Sequence, residues 1–253
     1  MAQELRQRPY HTAKEVVAWV QQQFGVTYSE RGMEKLLGRL DFTWQKVRLV
    51  PGKAAAAAQE QFVADYERMR AEAGPEDRLY FVDGVHPMYN VHPGKVWAPA
   101  GQRPEQASNS GRQRYNILGA YCPLDQEYVD EQTTGSLNAQ TVIQLIDKLR
   151  ARHPTAKRLV FFLDNVRYHH ARLVREHCAG TNVEFVFLPP YAPNLNLIER
   201  LWKFLKGKVL RWYYAAFESF VSAIQDFLAH LDRYREELAS LMTERFEIIA
   251  PRT

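Results

Sequence analysis

Three acids sit where the pattern of the chain changes. Asp83 ends the run Leu79-Tyr80-Phe81-Val82, and Asp164 ends Leu159-Val160-Phe161-Phe162-Leu163. Glu199 falls in the first turn of a helical pattern running from Leu197 to Lys206. Short apolar runs rich in β-branched and aromatic residues read as strands buried on both faces. Another such run, Val183 to Leu188, lies between the second acid and the third and closes on Pro189-Pro190. Neighbouring parallel strands place their carboxyl ends at one edge of a sheet, where open α/β sheets bind ligands. Like charges gathered there are unfavourable unless cations neutralise them. Mg²⁺ takes oxygen ligands, commonly carboxylates with water and phosphate. Two such ions about 3.5–4 Å apart can drive an in-line displacement at phosphorus. That chemistry needs acids and no Ser or Cys nucleophile. Each acid also has a structural reading: Asp83-Gly84 and Asp164-Asn165 as turns or caps, and Glu199 as the partner of an N-cap Asn196 in a capping box. Their co-occurrence favours a divalent-metal site at Asp83, Asp164 and Glu199, and a helix N-terminus would keep Glu199 ionised.

Elements able to hold three acids this way follow from the same patterning. After the strand to Asp83, residues 95–101 predict a second strand and 115–122 a third, with 128–130 returning along it, so consecutive strands run antiparallel. A helix over 137–152 follows, then the strand to Asp164, a helix near 171–178, the strand to Leu188 and the helix carrying Glu199. Residues 217–241 form a last amphipathic stretch. This is an α/β fold, a mixed sheet with helices on its faces. Upstream, residues 53–73 are rich in alanine and long polar residues and predict one linker helix, packed through Phe62, Val63, Tyr66 and Met69.

The first fifty residues read as a small helix–turn–helix unit. Thr12 with Glu15 suggests a capping box, Gly25 a stop, and Ser29 the cap of a second helix over 30–40. Arg31, Lys35 and Arg39 repeat at i, i+4 and i+8 on its outer face, a row that could follow DNA phosphates. A solvated face interleaved with Glu30 and Glu34 is the plainer reading. Residues 42–50 predict a strand or wing. The organisation expected is a helix–turn–helix, winged-helix-like domain over 1–53, a linker helix over 54–75 and a catalytic domain over 76–253.

Composition agrees with a globular chain: 253 residues, 46% hydrophobic and 25% charged, with net charge +4. Residues 1–53 hold nine Lys/Arg against five Asp/Glu, so the whole excess lies at that end and suggests a polyanion partner there. Cys122 and Cys178 stand alone, which fits thiols in a reducing compartment and neither a disulfide scaffold nor a zinc site. Residues 1–10 are polar, unlike a signal peptide, and no apolar run approaches the roughly 18 residues of a membrane span. A cytoplasmic protein with no membrane partner is expected.

Two stretches carry a family resemblance. Leu163-Asp164-Asn165-Val166-Arg167-Tyr168-His169 and Leu188-Pro189-Pro190-Tyr191-Ala192-Pro193-Asn194-Leu195-Asn196-Leu197-Ile198-Glu199-Arg200-Leu201-Trp202 resemble the DDE transposases of the mariner superfamily, especially its bacterial insertion-sequence branch. The 34 residues between Asp164 and Glu199 are similar to that family's spacing, and Asp83 matches its first acid. The resemblance implies an RNase H-like core, Mg²⁺ with Mn²⁺ able to substitute, and cleavage at transposon ends. It further implies joining of the 3′-OH to target DNA at TA, with double-stranded DNA bearing terminal inverted repeats as partner and a homodimer formed on it. Asp83, Asp164 and Glu199 are then the catalytic, metal-binding acids, with Asn165 and His169 at motif positions beside them. Lys203 and Lys206, on the helix of Glu199, could contact phosphates; a solvated role is the alternative. Trp202 reads as core. Two features depart from the family. The chain has room for one helix–turn–helix unit where relatives usually carry two, and Leu197 replaces a common proline. The first feature keeps open a fragment or an idle relict that acts only by binding DNA.

Overall fold

Residues 1–47 and 50–249 are described by the computed structural model, and they divide into two units, Met1–Leu49 and Val50–Thr253. The first unit holds α1 (Ala2–Gln7), α2 (Ala13–Phe24) and α3 (Glu30–Arg39). Thr12 Oγ1 accepts the amide of Glu15, and Glu15 reaches back to the amide of His11, one residue before the cap. Gly25 ends α2 at φ +67°, a conformation open to glycine. Ser29 caps α3 through Gly32 N–H. Val16, Val20 and Met33 form the buried centre, with Leu5, Val17, Trp19, Leu36 and Leu37 around it. The short helix α1 lacks an apolar periodicity and was not expected. The wing strand proposed for residues 42–50 does not form over 42–47, where Trp44 and Val47 are exposed; Arg48 and Leu49 lie outside the described residues. A strand needs a partner to satisfy its backbone, and the described part of this unit has no other extended run.

The second unit is built on a five-stranded sheet in the order β3-β2-β1-β4-β5. Its strands are β1 (Asp77–Val85), β2 (Asn116–Cys122), β3 (Glu127–Thr133), β4 (Arg158–Leu163) and β5 (Val183–Phe187). The first three are antiparallel, while β4 and β5 run parallel to β1. Alternate residues face opposite cores. Leu79, Phe81, Ile117 and Phe162 pack against α4 (Ala56–Glu72), α7 (Ile198–Lys208) and α8 (Phe217–Ala229). Tyr80, Val82, Leu118 and Phe161 pack against α5 (Ala139–Arg152) and α6 (Arg172–Cys178). Burial on both faces is why these strands read as unbroken apolar runs. Phe62 and Tyr66 are buried in the first of these cores, so α4 belongs to the packing of this unit.

Residues 95–101 do not form the second strand expected of them. Both edges of β1 are taken, by β2 and β4, and prolines at 93, 99 and 104 remove ladder donors. Val96 and Trp97 are exposed, and the preceding segment is tied elsewhere: His92 N–H donates to Leu210 O (2.7 Å) and Tyr89 Oη to Tyr214 O (2.8 Å). The amphipathic stretch 217–241 begins as α8. It breaks after Ala229 into a 3₁₀ turn and α9 (Arg235–Leu241). Among the described residues no helix is long and apolar enough to cross a membrane.

One polar knot ties β1, β3 and α5. Glu127 accepts from Tyr80 Oη (2.5 Å), lies 2.8 Å from His153 Nε2 and pairs with Arg152. Burial alone would raise its carboxyl, but the hydrogen bonds from Tyr80, His153 and Arg152 win and hold it below its ordinary 4.5. A depressed acid adds stability that is complete above the unfolded value and lost as pH falls through the folded one. Glu127→Gln is therefore expected to lower stability at neutral pH by about 1–3 kcal/mol and to flatten the acid side of the urea-midpoint profile. Superimposable profiles for variant and parent would contradict the assignment.

Candidate active site

The sheet aligns the first two acids. In the parallel β1–β4 ladder Val82 is level with Leu163, so Asp83 and Asp164 follow side by side at the same sheet edge. Glu199 comes to them on the first turn of α7. All three line one cleft of about 400 Å³, whose opposite wall is the loop from Leu188 to Pro193. Asn165 lines it too, and its Nδ2 donates to Leu188 O (2.8 Å), tying the ends of β4 and β5 together.

The acids perturb one another. Burial first, then the charges of Glu199 and Asp164, push Asp83 up to about 8, against the Gly84 amide and the Trp202 indole. Glu199 is also raised, first by burial; Lys206 pulls it back and Asp164 pushes it up. Lys206 is thus within electrostatic reach of the cleft, while Lys203 is exposed on the same helix. Arg31, Lys35 and Arg39 are all exposed on α3 in the other unit.

His169 is fully buried behind Asp164. Its Nδ1 lies 3.2 Å from the Asp164 carbonyl and 3.1 Å from Asp164 Oδ1. A carbonyl can only accept, so Nδ1 carries the proton. Only the carbonyl is well aligned with that N–H, which leaves Oδ1 close by without a hydrogen-bond partner of its own.

The capping box at Glu199 does not form. Asn196 instead turns inward, where its Nδ2 donates to Val82 O (3.0 Å), bracing the loop against the residue before Asp83. The first turn of α7 has no side-chain cap. Trp202 is core, as its pattern indicated, but its Nε1 also donates to Asp83 Oδ2 at 3.0 Å. The only sequence signal for that contact is the i, i+3 spacing from Glu199, which puts both side chains on one helix face. The ring passes over Gly119, the residue opposite Asp83 on β2, where a Cβ would meet it at 2.6 Å. At the rim Tyr191 is half exposed with φ +60°, a region costly for a bulky residue and often found at functional sites. Lys53 Nζ lies 5.8 Å from its ring centre.

The donor set suits a hard cation. The cleft is lined by carboxylates from three elements, and Asn196 beside them has a buried Oδ1 without a hydrogen-bond partner. Among the described residues, no three carboxylate, imidazole or thiol groups converge closely enough to enclose a metal unaided. Mg²⁺ is typically held by one or two carboxylates and completed by water and substrate phosphate. Between pH 3.8 and about 8 the folded chain keeps a proton on Asp83 that the unfolded chain has released, so this group lowers stability as pH rises through that window. Cation binding needs the ionised acid. Mn²⁺ affinity, read by electron paramagnetic resonance, is accordingly expected to climb from about pH 6 to about pH 8 and then level off. An affinity independent of pH across that range would count against Asp83 as a ligand.

A mixed sheet in this order, covered by helices on both faces and bearing acids at its strand ends, defines an RNase H-like enzyme core. The family model for DDE superfamily endonuclease matches residues 78–221, and that for winged helix-turn helix matches residues 7–66. The chain belongs to the DDE superfamily endonucleases. It is 24% identical over 156 residues to the insertion element IS630 uncharacterized 39 kDa protein of Shigella sonnei, a match over 60% of this chain and 45% of that protein. The chain therefore spans less than half the length of that relative. The Mos1 transposase paired-end complex with left transposon end superposes with TM-score 0.67 at 18% identity, over 97% of this chain and 79% of that one. The mariner Mos1 paired end complex with Mg gives TM-score 0.67 at 20% identity and the same coverage. At these identities the likeness is one of fold.

Proposed function

We propose that this chain is a transposase that cleaves DNA at transposon ends and transfers the freed 3′-OH into target DNA, at TA, in a divalent-metal-dependent reaction. The observation that carries this reading is the meeting of Asp83, Asp164 and Glu199 in one cleft where burial and mutual repulsion raise Asp83. Asp83, Asp164 and Glu199 would hold Mg²⁺ or Mn²⁺, which when bound activates the attacking hydroxyl and stabilises the leaving oxygen at phosphorus. His169 orients Asp164 from behind. Trp202 and Asn196 fix Asp83 and the backbone before it. Lys203 and Lys206 offer positive charge to the phosphates flanking the scissile one, and Arg31, Lys35 and Arg39 to the backbone of the terminal inverted repeat. Joining two ends calls for two such clefts, so a homodimer assembled on DNA fits the chemistry. Mos1 structures with transposon ends, Mg and Mn support the reading by likeness of fold.

The test is a nicking assay on duplex DNA carrying the element's inverted repeat. Nicks ending in 3′-OH are expected with Mg²⁺ or Mn²⁺ and none with a chelator. A chain that binds this DNA yet leaves it intact in both metals would instead be a DNA-binding relict.

A further inference from the structure

We infer that residues 241–249 are a strap that positions Glu199, with Gln59, Asn194 and Arg200 as its anchors; the inference rests on the site proposed above. Residues 243–249 form neither helix nor strand, so their backbone groups need partners from elsewhere. Side chains beside the cleft supply them. Arg200 directly follows Glu199. Its Nη1 donates to the carbonyls of Leu241 (3.1 Å) and Thr243 (2.5 Å), and its Nη2 to that of Arg245 (2.6 Å). Asn194, directly after the cleft loop, donates to Glu247 O and to Gln59 Oε1, both at 2.8 Å. Gln59 of α4 is fully buried and holds Ile249 at both backbone groups, Nε2 to O at 2.6 Å and N to Oε1 at 3.1 Å.

The strap also reaches the strand of the first acid. Phe246 packs 6.0 Å from Phe81, two residues before Asp83, and 5.2 Å from Tyr66, whose hydroxyl donates to Glu244 (2.6 Å). These contacts bracket the catalytic acid that is carried on a helix. Asn196 braces the loop from inside, but the start of α7 has no capping side chain, so the direction of its first turn is only partly set locally. Arg200 and Asn194 set it from outside, by tying that turn and the loop before it to a segment anchored on α4. Gln59, Asn194 and Arg200 are positioning residues: they touch the strap, and the strap holds Glu199 against the other two acids.

Arg200→Ala and Arg200→Lys in the full chain test this. At saturating inverted-repeat DNA the Arg200→Ala nicking rate is expected to fall roughly 10- to 100-fold and the Mn²⁺ midpoint to rise by a similar factor. The Kd for that DNA stays within about twofold, because the phosphate contacts are elsewhere. Arg200→Lys, which keeps the charge but not the planar fork, falls in between. Amides of residues 196–199 should exchange roughly tenfold faster in Arg200→Ala without any metal present. A folded Arg200→Ala with parental rate, Mn²⁺ midpoint and amide exchange overturns the strap. If the parent binds Mn²⁺ but does not nick, the cleavage reading fails, and the strap is judged on the Mn²⁺ midpoint and on exchange. If neither variant folds, exchange in the parent decides: the Ile249 amide is expected to be protected, and exchange at the free-peptide rate overturns the inference.

Discussion

Asp164→Asn is expected to cut divalent-metal-dependent nicking about 10³-fold while DNA binding and thermal stability stay close to those of the parent. The substitution keeps the shape of the side chain and removes its charge. His169 still donates to the backbone carbonyl of residue 164, so the ring behind the site remains seated. A second readout separates loss of a ligand from general damage. Asp164 is one of the charges holding Asp83 up near 8, so its neutralisation should bring Asp83 down towards its ordinary range. Residual Mn²⁺ binding in the variant should then reach its plateau at a lower pH than in the parent. Activity within tenfold of the parent, with an unmoved Mn²⁺ profile, would sink the assignment of Asp164.

Gly119→Ala should be nearly as damaging although the residue carries no functional group. A Cβ there would sit 2.6 and 2.8 Å from two ring carbons of Trp202 and 3.0 Å from Ile198 Cδ1. Both neighbours are completely buried, so neither can step aside cheaply. Overpacking of this kind costs about 1–3 kcal/mol. The displaced indole also leaves Asp83 Oδ2, and a misplacement near 1 Å at such a site can cost about 10²-fold in rate. Trp202→Phe isolates the second effect, since it withdraws the N–H with a modest loss of volume. It should lose activity with a smaller drop in melting temperature than Gly119→Ala. Parental stability in Gly119→Ala would show that the ring can move away from β2.

The parts of this molecule that announced themselves in the sequence are those where one side-chain pattern meets one environment. β1, β2 and β4 are covered on both faces and so appear as apolar runs. Asp83 and Asp164 end two of them in parallel, which brings the acids level without any knowledge of the loops. Glu199 was legible through its motif. What stayed hidden depends on partners distant in the chain. Val96 and Trp97 look like strand residues, but whether a sheet edge is free for them is decided by β2 and β4. Asn196 looks like a helix cap because its local spacing is right, yet the carbonyl of Val82, 114 positions away, claims its amide. The indole contact of Trp202 and the grip of Gln59 on Ile249 are likewise contacts between distant segments, on residues whose types are ordinary.

The two strand-borne acids and the helix-borne one differ in how their spacing is set. Adjacent strands lie about 4.7–4.9 Å apart by backbone geometry alone, so the gap between Asp83 and Asp164 is a ruler that side-chain changes can hardly alter. The third acid stands on a jaw whose opening depends on how α7 seats on the sheet, through Trp202, Ile198 and Gly119. Variation that alters the width of this cleft should therefore gather around that helix, leaving the ends of the two strands untouched.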